Sequence, residues 1–164
     1  MLKNLLIATT NPGKLVEIAA ILADSAIHLV TPNDLGLQLS VQEHGQTYAE
    51  NAALKAQAYA KASGMHVLAD DSGLEVDALG GAPGLHSARF SPLPGANDAD
   101  RRRYLLEKLA GMPRPWTARF RCVVALASPH SETRFCEGLC EGEIIPLERG
   151  DNGFGYDPIF LLPG

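Results

Sequence analysis

Leu5-Leu6-Ile7-Ala8 is an unbroken apolar run that leads directly into Thr9-Thr10-Asn11-Pro12-Gly13-Lys14. Four consecutive apolar residues read as a short buried strand, and the polar segment after them reads as a helix start. Asn11 suits the N-cap and Pro12 the first helical position. Leu15, Ile18, Ala19 and Leu22 then recur at spacings of three and four. A buried strand feeding straight into a helix is the opening of an α/β fold. The rest of the chain repeats the alternation. Ile27 to Val30 reads as a second strand, and Thr31 to Gly36 as a turn. Thr47-Tyr48-Ala49-Glu50 has the capping-box pattern and opens an alanine-rich helix to about Ala62, ended by Gly64. That much alanine predicts close packing against a neighbour. Val67 to Asp70 reads as a strand, Leu74 to Ala78 as a second extended piece, and Gly80 to Gly84 as a turn-rich loop.

A third helix begins at Asn97 or Asp98, with acids first and Lys108 last as the helix dipole favours. Gly111 and Pro113 stop it. Thr117 to Ala127 and Thr133 to Glu141 form a hairpin around Ser128-Pro129-His130, and Ile159 to Leu162 is a final strand. This order predicts a single α/β domain with a mixed central sheet. At 164 residues and 46% apolar, the chain is long enough to bury a core without disulfides or structural metal.

Charge and cysteine content exclude several functions. A net charge of −5 argues against a nucleic-acid polymer as partner, while leaving room for a locally basic pocket. Arg101-Arg102-Arg103 is expected to be a solvated helix face. Three cysteines, Cys122, Cys136 and Cys140, make neither a disulfide scaffold nor a zinc set and are expected to be buried thiols, Cys122 as a core strand residue. The apolar run at the N-terminus is too short for a signal-peptide core or a membrane span, so a soluble, cytoplasmic protein is expected. No histidine pair has metal-ligand spacing, and no Gly-x-Ser-x-Gly elbow occurs.

Three segments can carry chemistry. Thr9 to Lys14 can bind phosphate through a helix N-terminus and a lysine, or be an ordinary βα turn with an Asn cap. It lacks the Walker A pattern. Ala69-Asp70-Asp71-Ser72-Gly73 puts two acids at a strand end. On a strand only one can face a given pocket, where it could hold Mg²⁺ or act as a base, and the other bonds the scaffold. The same residues could instead form an Asx-type turn. Gly153-Phe154-Gly155-Tyr156-Asp157-Pro158 offers ring faces for a base at Phe154 and Tyr156 and acceptors at Asp157, or is an aromatic-anchored loop before a strand.

In order and combination these segments, together with Leu79-Gly80-Gly81-Ala82-Pro83-Gly84 and Ser87-Ala88-Arg89-Phe90, closely resemble the inosine/xanthosine triphosphate pyrophosphatase family. The resemblance runs from Leu5 to Pro163. It implies a homodimeric α/β enzyme with a long mixed sheet and two lobes around a cleft. The implied reaction is Mg²⁺-dependent hydrolysis of dITP, ITP and XTP to the monophosphate and pyrophosphate. Carried over by residue, it implies a triphosphate loop of Thr9, Thr10, Asn11, Pro12, Gly13 and Lys14, with a further phosphate contact at Lys55. Asp71 would be the catalytic acid and a metal ligand, Glu43 the second metal ligand, and Ser72 a substrate contact. Phe154, Gly155, Tyr156 and Asp157 would be the base-binding loop. Family members continue past Phe160-Leu161-Leu162-Pro163-Gly164 into a segment with a substrate-binding lysine and a Ser-His-Arg motif. The alternative expectation is therefore a nucleotide-binding protein with impaired turnover.

Overall fold

The computed structural model describes residues 3–164. Its regular elements are β1 (Asn4–Ile7), α1 (Pro12–Ile21), β2 (His28–Val30), α2 (Tyr48–Ser63), β3 (Val67–Val76), α3 (Asp98–Leu109), β4 (Trp116–Ser128), β5 (Ser131–Ile144) and β6 (Phe160–Leu161). The strands form a mixed sheet in the order β2-β1-β3-β4-β5-β6. β1 runs parallel to both neighbours, with Leu6 opposite Val30 on one side and Val67 on the other. Its residues Leu5, Leu6 and Ile7 are at most 3% exposed, as expected for a strand paired on both edges in an α/β fold. β5 and β6 pair antiparallel. The α/β class with a mixed sheet and helices is as the sequence indicates.

The chain divides into two compact units, Met1–Asp71 with Cys122–Glu137, and Ser72–Arg121 with Gly138–Gly164. Each has its own apolar core. In the first, Leu6, Val30, Val67 and Ala69 of the parallel strands meet Ala52, Ala56, Tyr59 and Ala60 of α2. The buried alanines fall four residues apart, interrupted by the single tyrosine, so one stripe of α2 is nearly free of bulk. This is the close packing that the alanine content predicts. In the second unit, Leu74 and Val76 pack with Leu105 and Leu109 of α3, Trp116, Ile144, Tyr156 and Ile159.

Helix ends follow local chemistry. Asn11 Oδ1 accepts from the backbone N–H groups of Gly13 and Lys14, with Pro12 at the first helical position. Gly64, at φ +70°, closes α2 in the left-handed conformation that glycine adopts without a Cβ penalty. The reciprocal capping box occurs on α3, between Asn97 and Asp100. At α2 the Thr47 hydroxyl accepts from Glu50 N as the motif requires, but the Glu50 carboxylate reaches one residue further back, to Gln46 N at 2.6 Å.

Three expectations need correction. Asp70 to Gly73 is not a turn between two extended pieces, because β3 is one ten-residue strand through it. Both acids find partners on other elements, Lys14 for Asp70 and Asn51 for Asp71. β6 is shorter than Ile159 to Leu162, because Asp157–Ile159 forms a 3-10 turn led by Pro158. Of the arginine triplet only Arg103 is a solvated side chain, at 64% exposure against 21% for Arg101 and 12% for Arg102.

Ala56 is fully buried on the α2 stripe. Ala56→Leu is expected to cost about 1–3 kcal/mol by overpacking, lowering Tm by several degrees in a circular-dichroism melt. An unchanged Tm would mean that helix and sheet are not in close contact there.

Candidate active site

Alternation along β3 turns neighbouring side chains to opposite faces. Asp70 and Asp71 are 6% and 8% exposed, and carboxylates that deep require polar partners. Asp70 receives the Lys14 ammonium at 2.6 Å, and the Cys122 thiol lies 3.9 Å from the same oxygen. Asp71 receives Nδ2 of Asn51 at 3.0 Å. The two acids thus differ sharply in setting: Asp70 sits in a direct ion pair, whereas Asp71 is bonded by a neutral amide. Burial is the largest influence on Asp71 and raises its pKa above the usual carboxylate value. The Asn51 hydrogen bond and the charges of Lys55 and Lys14 oppose that rise, and Glu43 adds to it.

The charges of Glu43 and Lys55 therefore reach Asp71. These two side chains are themselves paired, Lys55 Nζ lying 2.9 Å from Glu43 Oε1. Within the first unit, Lys14, Lys55, Glu43, Asp70 and Asp71 form a mixed cluster. Two ammonium groups against three carboxylates give a formal charge of −1. Among the described residues no three acidic, histidine or cysteine side chains converge as a metal cage. Glu43 and Asp70 are each paired with a lysine, and Asp71 accepts from the Asn51 amide.

The Thr9–Lys14 loop is largely satisfied from within. Thr9 Oγ1 accepts from Asn11 N at 3.1 Å, and Asn11 Oδ1 takes the N–H groups of Gly13 and Lys14 at 2.9 and 3.3 Å. Thr10 and Pro12 are exposed. The positive charge of the loop, Lys14, points to Asp70.

Ser72 and the Gly153–Pro158 loop belong to the second unit. Ser72 is half-buried. The loop is clamped at Gly155. Its N–H donates to Asp98 Oδ2 at 2.9 Å, and its carbonyl accepts from Arg102 Nη1 at 2.8 Å. Arg102 also holds Glu148 through two hydrogen bonds, keeping that carboxyl below the usual range. Burial raises Asp98, but hydrogen bonds from Arg101 and Gly155 N outweigh it, and the net shift is downward. Asp157 Oδ2 accepts from Phe154 N at 2.8 Å, and a Cβ on Gly153, at φ +87°, would collide with that carboxylate. Asp157 therefore shapes the loop with one of the acceptor oxygens that the sequence offers to a base. Tyr156 offers no open ring face. It is 4% exposed in the core, its hydroxyl donates to Ser87 O at 2.9 Å, and burial pushes its pKa up to about 12. Phe154 is half-buried, so it is the ring in this loop that retains an exposed surface.

Sequence reasoning missed Asn51, Asp98 and Arg102. Asn51 was readable: Thr47, Asn51 and Lys55 stand at i, i+4 and i+8, which puts them on one stripe of α2. Asp98 and Arg102 have the same spacing, but nothing local ties that pair to Gly155.

A helix that starts just after the central parallel strand β1, its lysine paired with an acid on the neighbouring strand β3, defines an α/β protein with a mixed sheet. The chain belongs to the Ham1 family, whose model matches residues 5–164. It is 46% identical over 160 residues to a dITP/XTP pyrophosphatase of Desulforamulus reducens, covering 97% of this chain and 79% of that protein. A dITP/XTP pyrophosphatase of Gloeobacter violaceus is 47% identical over 164 residues, covering 99% and 80%. Among solved structures, a HAM1 protein from Coxiella burnetii superposes with a TM-score of 0.86 at 40% identity, over 99% of this chain and 83% of that one. The Ham1 protein of Staphylococcus aureus gives 0.83 at 42% identity, over 98% and 82%.

Burial first, then the charge of Asp70, pushes the Cys122 thiol pKa up to about 11. Cys136 and Cys140 are exposed rather than buried as expected, because β5 is open to solvent over most of its length. A thiol reagent at about pH 7.5 is expected to label those two well before Cys122, as read by peptide mass spectrometry. Labelling of Cys122 first would contradict this.

Proposed function

We propose that this protein hydrolyses the triphosphates of deaminated purine nucleosides (dITP, ITP and XTP) to the monophosphate and pyrophosphate. The observation that carries the reading is the Lys14–Asp70, Asp71, Lys55–Glu43 cluster, in a chain 46% identical to a protein named dITP/XTP pyrophosphatase. A water oxygen attacks the α-phosphorus and its proton passes to Asp71, as the bond from that phosphorus to the bridging oxygen breaks and pyrophosphate leaves. An acid whose pKa is raised by burial accepts a proton more readily than a solvated one. Lys14 and Lys55 sit in ion pairs that a phosphate can share, and would hold the leaving group.

The charge balance supports a divalent cation. A site of formal charge −1 repels a polyanionic triphosphate unless cation charge is added. Mg²⁺ prefers one or two carboxylates together with phosphate oxygens and water, and Glu43 and Asp71 supply that set. Bound there, it would neutralise developing phosphate charge. In the second unit, the loop held at Gly155 would present Phe154 to the base, with Asp157 and Tyr156 keeping the loop in shape. Ser72, next to Asp71 in the chain, would touch the substrate. The working form is proposed to be a cytoplasmic homodimer, as the resemblance read in the sequence implies. Among the described residues no helix is long and apolar enough to cross a membrane.

Purified protein with Mg²⁺ is expected to release pyrophosphate from dITP and XTP in preference to ATP and GTP, and to stop when the metal is chelated. Equal rates on all four would overturn the specificity. Asp71→Asn is expected to lower turnover by roughly 10²- to 10⁴-fold or more. The fold should gain stability from the same change. The folded pKa of Asp71 lies above its unfolded value, so the ionised acid costs stability at neutral pH, and the cost fades as pH falls through the folded pKa. The variant's Tm should therefore exceed wild type near pH 7, by a margin that shrinks in acid. A variant with normal turnover would refute the assignment of Asp71.

A further inference from the structure

We propose that Asn51 is a positioning residue that locks Asp71 and the Glu43 loop into one geometry, an inference that rests on the proposed pyrophosphatase reaction. Asn51 is 3% exposed, and its amide is used at both ends. Nδ2 donates to Asp71 Oδ2 at 3.0 Å, while Oδ1 accepts from Gly45 N at 2.8 Å. One flat group thus joins β3 to the loop that carries Glu43 two residues earlier. Only one orientation of the amide fits, since the carboxylate needs a donor and the backbone N–H needs an acceptor.

The rest of the loop is tied to the same helix. Gln46 N donates to Glu50 Oε2, Thr47 Oγ1 accepts from Glu50 N, and Glu43 pairs with Lys55 one turn beyond Asn51. Gly45 is pressed against this surface. A Cβ there would lie 2.7 Å from Asn51 Oδ1 and 2.7 Å from Glu50 Cβ, so the approach depends on glycine. A primary amide donates to the carboxylate and accepts from the backbone N–H at once, without adding charge beside the acids. Aspartate lacks the donor, and leucine keeps the shape but neither bond. Asn51 is proposed to act through Asp71 and the Glu43 loop rather than on the substrate. It would fix Glu43 and Asp71, the two residues that would hold a divalent cation, relative to one another.

The test compares wild type, Asn51→Leu and Gly45→Ala. Gly45→Ala leaves the amide intact and pushes the loop off it. Folding is checked by circular dichroism. Mn²⁺ is titrated by calorimetry into protein saturated with an α,β-imido analogue of dITP, and kcat and KM for dITP are measured separately. Both variants are expected to stay folded and to lose about 10- to 100-fold in Mn²⁺ affinity and in kcat, with a smaller change in KM. In a Glu43→Gln background, Asn51→Leu is expected to cost clearly less Mn²⁺ affinity than in wild type, because the groups act together. If Asn51→Leu fails to fold, Gly45→Ala carries the same comparison. Folded variants with lowered Tm but unchanged Mn²⁺ affinity and kcat would make Asn51 a packing residue and overturn the proposal, as would wild type that binds no Mn²⁺. Wild type that binds Mn²⁺ but releases no pyrophosphate would overturn the proposed reaction instead. The affinity comparison would still decide the role of Asn51.

Discussion

Two adjacent carboxylates buried on one strand set the terms for the first unit of this protein. Asp70 and Asp71 cannot lie together below the surface without compensation, and alternation along β3 sends them to different neighbours. One is met by a lysine at the start of α1, the other by an asparagine in the first turns of α2. The two helices are thereby tied to the strand between their partners by polar contacts as well as by the apolar stripe of α2. Because the compensation is unequal, the acids are unequal. Asp70 is matched by a full positive charge. Asp71 accepts from the neutral Asn51 amide, and burial raises its pKa.

The same logic governs the loop before β6. Its glycines leave the backbone free to bend, and the shape comes from outside. Asp98 and Arg102 grip both polar groups of the Gly155 residue, Asp157 caps the turn, and the Tyr156 hydroxyl reaches Ser87. Ser87 is itself a hub, donating to Gly84 O and accepting from Leu74 N. Most of the groups in this loop that look like ligand contacts in the sequence are thus wholly or partly occupied in building it.

Much of this was legible in the sequence. Asn11, Thr47 and Gly64 mark helix ends because capping depends on residues a few positions apart. The spacing of α2 and its alanines foretold a tightly packed helix. The pairing of Lys14 with Asp70, 56 residues away, was not legible, nor was that of Arg102 with Gly155, 53 residues away. The turn-forming composition of Asp70 to Gly73 pointed the wrong way, because turn propensity counts local hydrogen bonds and the partners here come from other elements.

The sequence by itself determined the α/β alternation, the ends of its helices and the order of motifs that carries the family resemblance. These come from short-range sterics, local hydrogen bonds and residue chemistry. Only the tertiary structure decided which acid is neutralised by lysine, that Tyr156 packs inward and holds Ser87, and that Asn51 links two carboxylate-bearing segments. Those outcomes depend on burial and on contacts between residues distant in the chain, where the cost of an unpaired polar group selects the partner.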